Sequence, residues 1–265
     1  MGKKRGKQKM TMIPGTDYNR IDFDKYLPKS KVKKTGFLNP CSHYLLCGST
    51  GSGKTSLMMQ LLLNKELRSD FKRLFVFNGF GSEDKWLFIK EALVQKYGLS
   101  YDDIIIESDI TKFPDRSNKE IFNDQKAPET FVIFDDWMNA GKTPAIQRKI
   151  NNSILDYLTK SRKNNCSTFV LAQYFYSLPT VLRNQFSGGI MIWNFKTARA
   201  ARMFAKEVCA EVSEDVVYDM YKKCTSQKYG FFSYFPQKKH RFRCGLKHRF
   251  ILEDSDDSDD SESSC

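Results

Sequence analysis

The sequence predicts an α/β fold, a mainly parallel sheet with helices on both faces. Three observations point to it. Short apolar runs alternate with longer segments of helical period over most of the chain, a glycine-rich loop joins the first such run to the first helix, and a later apolar run ends on two aspartates. The 265 residues suit one large domain with extensions, and 40% apolar with 14% aromatic residues suffices for a core. No stretch approaches the ~18 consecutive apolar residues of a membrane span, and the N-terminus lacks the apolar core of a secretory signal. A soluble, intracellular protein is expected. Gly6 stands where a myristoylation signal starting at Gly2 needs Ser or Thr. Seven cysteines, an odd number in no paired array, read as reduced thiols.

Residues 1–36 are polar, basic and glycine-dotted and read as an N-terminal arm, with a short extended piece near residues 21–27. Order begins near Phe37. The run HYLLC at 43–47 predicts a strand that stops at glycine, and SLMMQLLLN at 56–64 is apolar at helical spacing. RLFVF at 73–77 is a second buried strand. Between 84 and 97, Trp86, Leu87, Ile89, Leu93, Val94 and Tyr97 suit an amphipathic helix ending at Gly98. Residues 104–106 form a third short strand, the polar segment 109–129 with two prolines reads as loops, and FVIF at 131–134 is a fourth strand ending on Asp135 and Asp136. Ile146, Ile150, Ile154, Leu155 and Leu158 then mark one face of a helix over 146–159, before TFVLA at 168–172, a fifth strand ending at Gln173. Pro179 opens a short helix, GIMIWNF at 189–195 is a sixth strand, and helices follow over 197–209 and 213–224. Residues 228–252 alternate as terminal strands or a hairpin. The organisation is thus an arm (1–36), an α/β domain (37–252) and an acidic, disordered tail (253–265).

Charge falls in blocks. The tail EDSDDSDDSESSC holds seven acids and no base, and without it the chain has 43 bases against 24 acids, a balance of +19. Five bases lie in the first nine residues, and Lys238, Lys239, Arg241, Arg243, Lys247 and Arg249 crowd one stretch. A polyanionic partner fits this balance. Serines spaced among the tail aspartates suit an acid-directed kinase, and the tail itself suits a competitor for basic surface.

The chemistry concentrates in three segments. Gly48-Ser49-Thr50-Gly51-Ser52-Gly53-Lys54-Thr55 matches G-x-x-x-x-G-K-[ST] between a predicted strand and a predicted helix. Glycines let several N–H groups point at one phosphate cluster while the helix presents its positive end. Lys54 is expected to bridge the β- and γ-phosphates of ATP, and the Thr55 hydroxyl to coordinate Mg²⁺. FVIFDD at 131–136 delivers Asp135 as the magnesium-side carboxylate, and Asp136 occupies the place where many P-loop hydrolases carry a glutamate that polarises water, one methylene longer. The bland alternative for the pair is a turn after a buried strand. Two predicted strands intervene between the phosphate-loop strand and the Asp135 strand, leaving room for an extra strand between them in the sheet. In that additional-strand class the next strand ends in a polar sensor of the γ-phosphate, here Gln173. Arg183 lies where an arginine finger reaches a neighbouring subunit, or where a surface salt bridge forms; Arg162 and Arg116 are its rivals.

GSTGSGKT, FVIFDD and above all FVLAQYFYSLPTVLRNQF together resemble the poxvirus-type genome-packaging ATPases of the FtsK/HerA superfamily, over residues 37–200. The resemblance implies a RecA/FtsK-like P-loop ATPase, a ring-forming motor that pushes double-stranded viral DNA into a preformed capsid, with a capsid or vertex protein as partner. It also implies work in the host cytoplasm or viral factory, or association with the virion. By it, Lys54 and Thr55 bind ATP and Mg²⁺, Asp135 holds the metal, Asp136 replaces the usual glutamate base and Gln173 is the sensor.

Such a motor grips backbone phosphates through Lys, Arg or aromatic residues. Lys196, Arg199, Arg202 and Lys206 fall near one helical face, and Lys142, Arg148 and Lys149 follow the aspartates, though each also suits a solvated surface. His240, Cys244 and His248, with Cys224 upstream, match paired zinc-ligand spacings poorly. Cys47 and Cys166 read as small core hydrophobes. A helicase or plasmid-transfer ATPase, a small-molecule kinase, and a nucleotide-dependent assembly switch without fast turnover remain as alternatives. Strand displacement marks the first, phosphate transfer to an acceptor the second, and absent turnover the third.

Overall fold

The computed structural model describes residues 9–13, 37–39, 41–67, 70–79, 81, 84–114, 130–138, 140–160, 166–209 and 212–253. In chain order the elements are β1 (Lys9–Ile13), β2 (His43–Cys47), α1 (Lys54–Leu63), β3 (Arg73–Asn78), α2 (Asp84–Tyr97), β4 (Ile104–Glu107), β5 (Thr130–Asp135), α3 (Pro144–Lys160), β6 (Cys166–Ala172), α4 (Thr180–Arg183), β7 (Gly189–Ile192), α5 (Ala198–Val208), α6 (Glu214–Thr225), β8 (Phe232–Tyr234), β9 (Phe242–Cys244) and β10 (His248–Glu253). They divide between two compact units, Pro28–Ile192 and a second made of Met1–Leu27 with Trp193–Cys265.

Among the described residues of the Pro28–Ile192 unit, six parallel strands run in the order β7-β2-β6-β5-β3-β4. All residues of β2, β5, β6 and β7 are buried. That is why these strands read as unbroken apolar runs rather than alternating ones. Edge strand β4 buries only its first residue. The extra strand between the phosphate-loop strand and the Asp135 strand is β6. The two strands that intervene in sequence, β3 and β4, lie outboard of β5. Sequence order alone does not reveal this, because a parallel crossover can skip a position that a later strand fills.

Aromatic packing ties the outer elements to this sheet. Phe77, Phe113, Phe134 and Tyr157 form one cluster with ring centroids 5.4–6.2 Å apart, and the Tyr157 hydroxyl donates to Pro114 O at 2.6 Å. Phe113 therefore belongs to the core although its segment reads as loop; residues 115–129 lie outside the described residues. In α2 the buried face is Trp86, Ile89, Ala92 and Leu93, whereas Leu87 is 44% exposed, so it is not part of the stripe that its apolarity suggests. α3 buries Ile150, Ile154, Tyr157 and Leu158 and leaves Ile146 exposed.

In the second unit β8, β9 and β10 are antiparallel, and β1 pairs with β10 from Lys9↔Glu253 to Ile13↔Arg249. A strand thus lies within the segment that reads as a basic arm. The expected extended piece at 21–27 and the acidic tail beyond Glu253 lie outside the described residues. Thr197 caps α5 by accepting from Ala200 N at 3.2 Å, and Ser213 caps α6 by accepting from Val216 N at 3.4 Å. Phe195, Phe204, Tyr221, Phe232 and Phe242 form its core, with centroids 5.5–6.5 Å apart. The Tyr221 hydroxyl accepts from Phe195 N at 2.6 Å and lies 3.2 Å from Asn194 Oδ1. Tyr221→Phe strands that amide, and a loss of about 1–3 kcal/mol is expected. Denaturant titration followed by circular dichroism checks it, and an unchanged midpoint would show that the hydroxyl contributes nothing.

Candidate active site

The phosphate loop leaves the C-terminal end of β2 and enters α1. Gly48 N donates to Ala172 O at 3.0 Å, which joins the start of the loop to the last residue of β6. Ser52 N closes a turn onto Ser49 O at 3.1 Å. Gly51 and Gly53 hold φ values of +76° and +104°, which other residues adopt only with strain. The helix starts at Lys54, two residues earlier than its apolar period suggests, and no side chain caps it. Its first amides and positive end therefore face the loop. Ser52 Oγ is buried without a hydrogen-bond partner, an orphaned donor inside a cradle of amides.

Lys54 lies across this cradle. Its Nζ donates to Gly48 O at 2.6 Å and Ser49 O at 3.1 Å, and the residue is 7% exposed. Burial pushes its ammonium below the ordinary lysine value, and the nearby Asp135 carboxylate opposes that shift.

Asp135, the last residue of β5, is 2% exposed. Its Oδ2 accepts from Thr55 Oγ1 at 3.2 Å and from Trp86 Nε1 at 3.3 Å, and its Oδ1 accepts from Asp136 N at 3.1 Å. A hydroxyl and a carboxylate with adjacent oxygens are a hard-oxygen set that suits Mg²⁺. Asp136 is half-buried and takes a left-handed conformation, φ +46°, costing about 1–3 kcal/mol. This turn brings its carbonyl against Gly79, where an added Cβ meets Asp136 O at 2.3 Å and Ala140 Cβ at 2.4 Å.

Gln173 is half-buried directly after β6 and therefore stands between the phosphate loop and Asp135. Arg183 is folded onto its own segment. Its guanidinium donates to Leu178 O at 2.7 Å and Thr180 Oγ1 at 3.2 Å and lies over the rings of Phe175 and Tyr176. Its rivals Arg116 and Arg162 lie outside the described residues. Two site residues escape the sequence reading. Asn78 pairs in register with Asp135 at the end of β3 and is fully buried. Trp86 reads only as an apolar helix residue, yet its indole N–H needs an acceptor once buried. A polar residue at a strand end, the signal that singles out Gln173, also marks Asn78.

Of the basic candidates, Lys142, Arg148 and Lys149 are exposed just after the Asp136 turn, and Lys196, Arg199 and Lys206 are exposed in the second unit. Arg202 pairs with Asp215 at 3.0 Å and lies over the Tyr218 ring. The Cys224 thiol donates to Arg243 O at 3.8 Å, and His248 is the cross-strand neighbour of Cys244. Among the described residues, no three His, Cys, Asp or Glu side chains converge in a metal-holding group. Nor is any described helix long and apolar enough to cross a membrane.

The family model of the poxvirus A32 protein matches residues 29–220 of this chain. The chain belongs to the poxvirus A32 protein family. It is a genome-packaging ATPase that binds ATP and hydrolyses it through its P-loop. A search of curated proteins finds no match. Solved structures similar to this A32-family chain include the genome-packaging NTPase B204 of Sulfolobus turreted icosahedral virus 2 with ATP-gammaS, at 16% identity, covering 77% of this chain and 95% of that one, TM-score 0.47. The DNA-packaging ATPase B204 of Sulfolobus Turreted Icosahedral Virus is 17% identical, over 75% of this chain and 94% of that one, TM-score 0.46. ATPases 2 and 3 of EssC from Geobacillus thermodenitrificans share the fold, at 15% identity over 82% of this chain and 41% of that one, TM-score 0.50.

Gly79→Ala is expected to displace the Asp136 turn, lowering ATP turnover at least tenfold while leaving ATP binding within about threefold. Steady-state kinetics beside equilibrium binding tests this, and wild-type turnover would exclude a role for the close approach. Burial pushes the Cys47 thiol up to about 12. Iodoacetamide at pH 8 should therefore spare Cys47 in native protein and modify it in urea, as peptide mass spectrometry would reveal.

Proposed function

We propose that this A32-family ATPase translocates double-stranded DNA into a preformed capsid, as a homo-oligomeric ring that engages a capsid or vertex protein. The observation that carries the reading is the convergence of the phosphate loop, Asp135-Asp136 and Gln173 on one end of the sheet in a member of a genome-packaging family. The family also supports work in the host cytoplasm or viral factory, or with the virion.

In the proposed mechanism the amides of residues 49–54 receive the phosphates, and Lys54 turns from Gly48 O and Ser49 O onto the β- and γ-phosphate oxygens. Thr55 and Asp135 hold Mg²⁺, which supplies neutralising charge to the triphosphate. Asp136 orients a water and accepts its proton as the water attacks the γ-phosphorus and ADP leaves. Gln173 hydrogen-bonds the γ-phosphate and transmits its loss along β6. Arg183 serves as a finger toward a neighbouring subunit once its guanidinium leaves Leu178 O and Thr180 Oγ1. The exposed Lys142, Arg148 and Lys149, close in sequence to Asp136, are the favoured contacts to DNA phosphates.

Steady-state hydrolysis with and without long duplex DNA tests the reading. Duplex DNA is expected to stimulate turnover, and Lys54→Ala and Asp136→Asn each to reduce it about 10²-fold or more. Hydrolysis indifferent to DNA, or strand displacement in place of translocation, would overturn the packaging-motor assignment.

A further inference from the structure

We infer that Trp86 is a positioning residue for the Asp135 carboxylate and couples α2 to the occupancy of the metal side of the nucleotide site. The inference rests on the assignment of Asp135 above. Trp86 sits in the first turn of α2, is 0% exposed, and sends its indole N–H to Asp135 Oδ2 at 3.3 Å. The same oxygen accepts from Thr55 Oγ1, and the opposite oxygen accepts from the Asp136 amide. Three elements thus meet at one buried carboxylate: α1 through Thr55, the turn after β5 through Asp136, and α2 through Trp86.

These donors differ in stiffness. The Thr55 hydroxyl is free to rotate about its C–O bond. An indole wedged in the core has no such freedom, so with the Asp136 amide on the opposite oxygen its N–H keeps the carboxylate plane in one orientation whichever way the hydroxyl turns. Phenylalanine fills most of the same volume without the N–H. Outer partners of metal-ligating carboxylates typically change metal affinity or activity by about 10–100-fold when removed. A residue serving only to pack α2 has no such effect.

Trp86→Phe is therefore expected to lower kcat about 10-fold or more and to raise the Mg²⁺ concentration for half-maximal turnover, with KM for ATP within about twofold. A second measurement does not depend on that variant folding. The chain has three tryptophans, so a Trp137→Phe/Trp193→Phe background leaves Trp86 as the sole indole emitter. Adding Mg²⁺ to this protein with a non-hydrolysable ATP analogue should change its emission, and Asp135→Asn should abolish the change. Wild-type kcat and Mg²⁺ dependence in Trp86→Phe, or Trp86 emission blind to Mg²⁺, overturns the positioning role. Wild-type turnover in Asp135→Asn overturns the Asp135 assignment itself, and this inference with it.

Discussion

The insertion of β6 between β2 and β5 is the constraint on which the catalytic unit depends. With parallel neighbours about 4.8 Å apart, the ends of β2 and β5 stand about 10 Å from each other, a gap that holds a phosphate chain while Thr55 still reaches Asp135. Gly48 N to Ala172 O pins the loop to the inserted strand. All seven residues of β6 are buried, and Ser167 Oγ accepts from Ser42 N at 3.2 Å. Gln173, placed just past that strand, lies in strand order between the loop and the carboxylates.

At that end of the sheet the energetics turn from apolar to ionic. A buried carboxylate is tolerable only with donors around it, and Asp135 has a hydroxyl, an indole and an amide. Lys54 is buried within the field of the same carboxylate and satisfied by two loop carbonyls. Those carbonyls are a poorer match for an ammonium than a polyphosphate, and Ser52 Oγ has no partner at all. The loop is thus built for an anion, with its costs already spread over glycine turns and an uncapped helix.

The second unit is held by different means. Its core joins a cluster of rings to aliphatic side chains such as Val208, Val217 and Met220, and the buried Tyr221 hydroxyl secures the chain at Phe195. Ser and Thr caps set where α5 and α6 begin, which is why those two starts were legible to within a residue. The Arg202–Asp215 pair is exposed and adds little stability, but it diverts one of the four bases of α5 and its approach from an open cationic face.

The sequence by itself determined the elements and the chemistry of the phosphate loop. Unbroken apolar runs mark buried parallel strands, and GSTGSGKT and FVIFDD specify their roles by local spacing, since glycine conformations, the helix start and the strand-end aspartate are properties of neighbouring residues. Only the tertiary structure decided which strand lies between β2 and β5, that Leu87 faces outward, that Phe113 enters the core, that 9–13 forms a strand against β10, and that Asn78 and Trp86 belong to the site. Each of these is a pairing between segments distant in the chain. Local period carries no information about such pairings, because they are settled by which surfaces bury each other and which buried polar atoms find a partner.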